Sequence, residues 1–421
     1  MSVKNYKKII KGLYADNLYK NSFYLMLSTI VNGLLGFVFL MIATHIYSSQ
    51  AVGIYSALFS VMSLIVLFSM SGGFYNTIMM FIPTISESER SDLIYSSFMI
   101  HIFIVAIISL IFVFFVDIFS SKLIFLKDLF YGFIFVLFTI FLAVFGLFNS
   151  VFMAFRKTQY VLIKDVATNV GKIFPLLFFV PFLYTGIFYS VGIGTIVGII
   201  ICFFFSYKTK LIKKFKLNIN FNILIKNWKY IFTNYFIVLS SYLPNLFFPI
   251  LVLEILSAET NAYFYVTLTI FSLITMLGMS ITSSFFVEGS YREDKIKKNT
   301  TKGLKALLVI ATISILGVFL FGKFIFSLFE EEYLNSLDLL YVFMASIYLF
   351  LINKLYLIIL LLKMRINGAL IFNFLISGST IIFGTLLMFY FGLIGVGYGW
   401  LIGQAIGIIW IFIHRQNFHE F

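Results

Sequence analysis

Apolar runs long enough to cross a bilayer recur along the whole chain, from near residue 22 to near residue 413, with only short polar breaks between them. A membrane helix needs ~20 such residues to span ~30 Å of hydrocarbon. A chain built this way has no use for a single water-excluding core. Only 11% of its residues are charged and 61% are hydrophobic, with a mean hydropathy of +1.05. Soluble domains carry about 25% charged residues, so this chain cannot cover a water-facing surface and its solvent is lipid. The expected fold class is an all-α polytopic membrane protein.

The runs place twelve helices, at roughly 22–46, 53–82, 94–116, 129–154, 161–183, 187–206, 230–253, 262–287, 304–328, 338–361, 368–391 and 394–413. Lys and Arg in short loops orient them. One side collects Lys4, Lys7, Lys8, Lys11, Lys20, Arg90, Arg156, Lys157, the clusters 208–229 and 292–305, Lys363, Arg365 and Arg415. The other side has only Lys122, Lys127 and Lys323, and it carries Glu254, Glu259 and Glu330 to Glu332. Both termini are therefore expected in the cytoplasm, with the chain multi-pass in the cytoplasmic (inner) membrane. The net charge of +13 follows from this bias, so it does not point to nucleic acid. Cys202 is the only cysteine, which excludes an intrachain disulfide. The histidines (His45, His101, His414, His419) show no metal-ligand spacing. The basic N-terminus is read as preceding a retained first helix, because the apolar run after it is too long for a signal peptide.

The chain divides at "YKTKLIKKFKLNINFNILIKNWKY", residues 207–230, with six helices on either side. The reading is an N-terminal lobe at 1–206, a basic cytoplasmic linker at 207–229 and a C-terminal lobe at 230–421. In the linker, Leu211, Ile212, Phe215, Leu224, Ile225 and Trp228 fall near helical spacing among lysines. That pattern suits a surface helix on anionic lipids, with a plain solvated loop as the alternative. Residues 52–71 align without gaps on 261–280, sharing a central S-L-I and a final M-S. An even number of helices per half makes such repeats parallel.

Three lysines remain inside the spans: Lys164, Lys172 and Lys354. A charge in hydrocarbon costs several kcal/mol unless it faces protein or water. In the fifth helix Asp165, Thr168, Asn169, Lys172 and Pro175 share one face, so this face points away from lipid. Lys172 lies roughly 18 Å along the helix at 1.5 Å per residue, near mid-bilayer. Two readings compete for it: a structural ion pair with Asp165 or another acid, or the cationic wall of a cavity. The cavity is favoured, because Asp165 is two turns away and Lys354 supplies a second buried lysine about 11 Å deep. Lys164 is shallow enough to snorkel to the interface. Asn169 joins the three lysines as a candidate substrate contact, and Asp165 is the candidate for a coupling ion, Na⁺ or H⁺. No other cofactor is expected.

Milder polar stripes run along the seventh helix (Asn234, Ser241, Asn245), the eighth (Thr269, Ser272, Met276, Met279, Ser283) and the second (Ser56, Ser60, Ser63). Most such residues pack and bond between helices. Pro175 and Pro181 fall in the outer half of the fifth helix, and Pro244 and Pro249 in that of the seventh. Proline kinks a helix, so these four are gate or hinge candidates, with a static kink as the alternative. Gly395, Gly399, Gly403 and Gly407 form a ridge for close helix packing.

Four stretches, with the twelve-helix layout, carry a family resemblance over essentially the whole chain: "SSQAVGIYSALFS", "NSVFMAFRKTQYVLIKDVATNVGKI", "AETNAYFYVTLTIFSLITMLGMSITSSFFVEGSYRED" and "SLFEEEYLNSLDLLYVF". In them the chain resembles Wzx-type polysaccharide flippases of the multidrug/oligosaccharidyl-lipid/polysaccharide superfamily. The resemblance implies two six-helix lobes around a central, typically cationic cavity, and alternating access. It implies turnover of a polyprenyl-(pyro)phosphate-linked glycan from the inner to the outer leaflet for surface polysaccharides such as O-antigen. The expected partners are that lipid-linked glycan, anionic lipids and other glycan-assembly proteins. The resemblance carries none of the family's cationic positions over to Lys172 or Lys354, which are read from this sequence alone. A cation-drug exporter of the same superfamily is the first alternative, but it calls for buried acids where this chain has lysines. A membrane-embedded glycosyltransferase or glycan polymerase is the second, but it calls for carboxylates on large external loops. A non-enzymatic transporter is therefore expected.

Overall fold

A computed structural model describes residues 17–209, 211, 224–225, 227–291, 296–363 and 365–414, and among these it is all helix with no strand. The long helices are α1 (Asn17–Ile46), α2 (Ser49–Phe68), α3 (Ser71–Phe81), α4 (Glu87–Phe114), α5 (Leu129–Ala154), α6 (Thr158–Phe178) and α7 (Leu183–Lys208). They continue with α8 (Trp228–Ile255), α9 (Ala258–Tyr291), α10 (Ile296–Ser327), α11 (Leu337–Ala345), α12 (Ile347–Leu362), α13 (Ile366–Phe391) and α14 (Leu393–Ile413). Short helical segments at Val116–Phe119, Ser121–Lys127, Val180–Phe182 and Glu331–Ser336 link some of them.

Ten of the described helices are long and apolar enough to cross a membrane, and eleven if Glu331–Ala345 and Ile347–Leu362, bent by 47° from each other, count as one span. The twelfth expected span is α6. It has 21 residues, enough to cross, but every membrane-length window of it holds Lys164, Asp165 and Lys172. The chain is thus a multi-pass helical membrane protein, and α6, expected as a span, is set apart from the others by its charged face.

Three boundaries differ from the sequence reading. The second expected helix is two, α2 and α3, broken at Met70, which holds a left-handed backbone (φ 65°). The buried Ser69 hydroxyl next to it donates to the Val66 carbonyl at 2.6 Å and lies 2.7 Å from His101 Nε2. The tenth is broken at Ser346, whose hydroxyl donates back to the Phe343 carbonyl, a local bond that competes with helix propagation. The fifth stops at Phe178, so Pro181 lies not in that α-helix but in the short 3₁₀ turn Val180–Phe182 that follows it. Proline suits that place, because it has no amide hydrogen to lose there.

Two compact units form. The first contains 17–39, 65–119 and the described residues of 124–235; the second contains 40–64, 120–123 and the described residues from 236 onward. In the first, Phe74, Ile78, Leu93, Leu147, Phe148, Phe152, Cys202 and Ile231 form the buried core. Most of the basic linker, residues 210, 212–223 and 226, lies outside the described residues. Of its flanks, Leu224 packs on this core while Ile225 and Trp228 are exposed. In the second unit the expected glycine ridge of α14 is buried against α13. A Cβ on Gly399 would lie 2.1 Å from the Gly384 Cα, so only glycine allows this approach.

Candidate functional site

In the first unit the polar face of α6 meets α1 and α5. Lys164 is fully buried; its Nζ donates to Asp165 Oδ1 at 2.7 Å and sits 3.2 Å above the Phe145 ring. Neighbours on a helix point about 100° apart. The pair forms because the four-carbon lysine stem folds back to its neighbour. Snorkelling is therefore not what Lys164 does: Phe145 of α5 covers its ammonium and Asp165 supplies the counter-charge. The other carboxylate oxygen of Asp165 accepts from the Ser28 hydroxyl at 2.5 Å.

One turn on, Asn169 donates its amide to Asn32 Oδ1 at 2.6 Å and to the Asp165 carbonyl at 2.8 Å. Its own Oδ1 is buried without a hydrogen-bond partner. Thr168 bonds back to the Lys164 carbonyl. Lys172, a further turn along, points its ammonium at the Phe39 ring, 4.5 Å from the centroid. The ion pairs among the described residues are Lys164–Asp165 and Lys127–Asp117. The Lys172–Asp165 pair, awkward on helical spacing, is not made.

In the second unit Lys354 projects from α12 with its ammonium 5.5 Å from the Phe350 centroid one turn back. The Phe350 ring leans on Trp400 of α14. The adjacent Asn353 is buried and donates to both the carbonyl and the side-chain oxygen of Gln404, each at 2.9 Å. That amide fixes the rotation of α12 and thereby the direction in which Lys354 leaves it. Lys172 and Lys354 share three traits: partial burial within a span, an aromatic face beside the ammonium, and no carboxylate within ion-pair distance among the described residues. An aromatic face attracts a cation without neutralising it, so both charges remain available to an anion.

The milder stripes mostly pack. Asn234 accepts from Asn76 at 3.2 Å, Ser240 and Ser241 accept from Asn373, and Ser56 accepts from Asn261. Thr269 bonds back to Tyr265. The side chain of Ser283 lies outside the described residues. Pro175, Pro244 and Pro249 are inside helices. The buried His101–Ser69 contact, the Asn353–Gln404 lock and the Glu254 carboxylate that gathers Ser120 and Ser121 escaped the sequence reading. Each joins residues far apart in the chain, and only polarity within an apolar run marked the first two.

A family described as polysaccharide biosynthesis protein matches residues 18–254, more than half of the chain. No curated protein matches the chain. Among solved structures the chain is similar to "Lipid II flippase MurJ, inward closed conformation", with 16% identity, a TM-score of 0.76, and 93% of this chain and 87% of that one covered. It is similar to an inward-facing multidrug resistance MATE family transporter of the MOP superfamily, with 13% identity, a TM-score of 0.73, and 91% and 93% covered. It is also similar to a mutant of the Vibrio cholerae MATE transporter VcmN, with 16% identity, a TM-score of 0.66, and 94% and 96% covered. At these identities the likeness establishes the fold.

Proposed function

Because the chain belongs to the polysaccharide biosynthesis protein family, we propose that it is a flippase for a polyprenyl-(pyro)phosphate-linked oligosaccharide. It carries that lipid from the cytoplasmic to the outer leaflet by alternating access, for surface polysaccharide assembly. The observation that carries the reading is the pair of unneutralised lysines, Lys172 in one unit and Lys354 in the other. A lipid-linked sugar holds an anionic head that must cross hydrocarbon, where an unpaired charge is costly. A lysine ammonium offsets that cost as a point charge, without demanding one bonding geometry. Such a contact suits cargo that must also be released. The aromatic faces hold the ammonium groups in place when no cargo is bound.

The fold shared with a lipid II flippase supports a lipid-borne cargo. The fold shared with multidrug transporters keeps a drug exporter as the second reading. Against that reading, the buried acid of the charged helix, Asp165, is already paired with Lys164. The orientation that goes with the proposal has both termini in the cytoplasm and Glu254 and Glu330 to Glu332 outside.

The test uses purified protein in liposomes carrying a fluorescent polyprenyl-pyrophosphate oligosaccharide. A membrane-impermeant glycosidase added outside should reach the inner-leaflet pool only when the protein is present. Failure to expose that pool, with uptake of a cationic dye by the same vesicles, would replace the flippase reading by the exporter.

A further inference from the structure

Asp165 is a buried carboxylate with an ammonium at one oxygen and a hydroxyl at the other. One of its oxygens faces Lys164 Nζ at 2.7 Å and the other accepts from Ser28 at 2.5 Å. Asn169, 2% exposed and on the same helix face, carries an unpartnered amide oxygen. A carboxylate and a hydroxyl are donor types that hard cations take, and Asn169 adds a further buried amide oxygen one turn along the same face. The positive charge in this cluster is nevertheless supplied by the chain itself. Lys164 has no exposed surface, and its ammonium is held between the Asp165 carboxylate and the Phe145 ring. It is therefore shut off from cargo, unlike Lys172 and Lys354.

We propose that Lys164 is a tethered monovalent cation: its ammonium takes the place that a free Na⁺ would occupy beside the Asp165 carboxylate and the Ser28 hydroxyl, and its removal opens an Na⁺ site there. The physical ground is charge balance. A carboxylate this deep must be neutralised or protonated. A lysine fixed one residue away does so at an effective concentration that no solute reaches. The consequence is that this cluster does not bind and release Na⁺ during transport, which revises the role that spacing alone suggests for Asp165. The inference concerns a cation and is read by binding, so it stands or falls separately from the identity of the cargo.

The test compares melting of the purified full chain in NaCl and in N-methylglucamine chloride at equal ionic strength, together with equilibrium binding of ²²Na⁺. The native protein should melt at the same temperature in both salts and bind no ²²Na⁺ that Asp165→Asn removes. Lys164→Ala, or Lys164→Met if the alanine variant does not accumulate, should melt lower in N-methylglucamine and recover in NaCl by saturable ²²Na⁺ binding. Lys164→Met/Asp165→Asn should lose that response. A lysine that merely packed helices together would lower the melting temperature equally in both salts, and that result overturns the proposal. So does a native protein whose stability rises with Na⁺ through Asp165. That measurement needs no lysine variant to fold.

Discussion

The Asn261 side chain donates to the main-chain carbonyl of Gly53 at 2.8 Å and to the Ser56 hydroxyl at 2.9 Å. These residues open the two stretches, 52–71 and 261–280, that align as an internal repeat. Their helices α2 and α9 cross here closely enough that a Cβ on Gly53 would fall 1.7 Å from the Ala258 carbonyl oxygen. Tyr55 and Tyr265 meet edge to face beside them. Gly53→Ala should therefore force the helices apart and cost at least the ~1–3 kcal/mol of an overpacked core. Asn261→Ala should cost about 1–3 kcal/mol through the buried partners it leaves behind. Thermal unfolding in detergent checks both, and a Gly53→Ala protein as stable as the native one would contradict this packing.

Glu254 makes a second long-range contact. Its carboxylate accepts from the Ser120 hydroxyl at 2.5 Å, from the Ser121 amide at 3.2 Å and from the Ser121 hydroxyl at 3.1 Å. The anion thus caps the start of the short helix Ser121–Lys127, where free amide groups favour negative charge. Glu254→Ala should loosen residues 120–123 and lower stability by about 2–3 kcal/mol, the scale of bonds to a charged group. Ser120→Ala should lose less, about 1 kcal/mol. Faster amide exchange confined to 120–123 in Glu254→Ala is the expected signature, and unchanged exchange would count against the cap.

Much of the fold is legible in the sequence, and the failures have local causes. Apolar run length locates the spans because hydrocarbon thickness sets it. Even α6, the span richest in charge, is recognisable from its one-sided polar face. The break at Met70 is signalled only by Ser71-Gly72-Gly73, which the surrounding apolar run hides, and the contact of Ser69 with His101 from another helix is invisible in the sequence. Pro181 reads as helical because the apolar run continues through the turn that it occupies. The Lys164–Asp165 pair is hidden by treating adjacent residues as unable to meet, a rule that holds for short stems and fails for lysine. Lys172 and Lys354 are visible as charges in apolar runs. Their difference from Lys164 depends on Phe39, Phe350 and the position of Asp165, which only the fold supplies.

The loop pair Asp117–Lys127 carries a pH signature. The Lys127 ammonium, 2.9 Å away, holds the Asp117 carboxyl below its ordinary range. A depressed folded-state value means that the pair's stabilisation is present above the unfolded-state pKa and lost as pH falls through the folded one. The pair is exposed, so screening leaves little of it for global stability. Asp117→Asn should leave the melting temperature at neutral pH unchanged and should remove an acid-range transition of a fluorophore placed on Leu129. A transition that survives the substitution would belong to another group.

Orientation is open to direct labelling because Cys202, the only cysteine, is fully buried. On a Cys202→Ser background, single cysteines replacing the exposed Lys122 and Asn335 should react with an impermeant maleimide from outside intact cells. Cysteines replacing the exposed Glu87 and Asn367 should react only after permeabilisation. The reverse pattern would invert the positive-inside assignment.

The three intramembrane lysines should separate by phenotype. Lys164 neutralises Asp165 within a closed site, so Lys164→Gln strands a buried carboxylate and should cost about 3–5 kcal/mol in Na⁺-free buffer, read as a lower melting temperature. Lys172 and Lys354 have no such partner, so Lys172→Gln and Lys354→Gln should insert and melt nearly as the native protein does. Their loss should appear in transport. One charge-assisted contact to a phosphate is worth about 1.5–3 kcal/mol, which is roughly tenfold to a hundredfold in cargo affinity. Lys172→Arg should keep part of the activity, since the charge persists in a bulkier, forked group. Lys172→Glu should be the weakest of the series, because it repels the head it must meet. Flipped lipid-linked oligosaccharide, measured at matched membrane amounts, separates the cases. Normal transport by Lys172→Gln and Lys354→Gln together would remove the anionic head from the reading of these sites, whereas degradation of both would make them structural cations like Lys164.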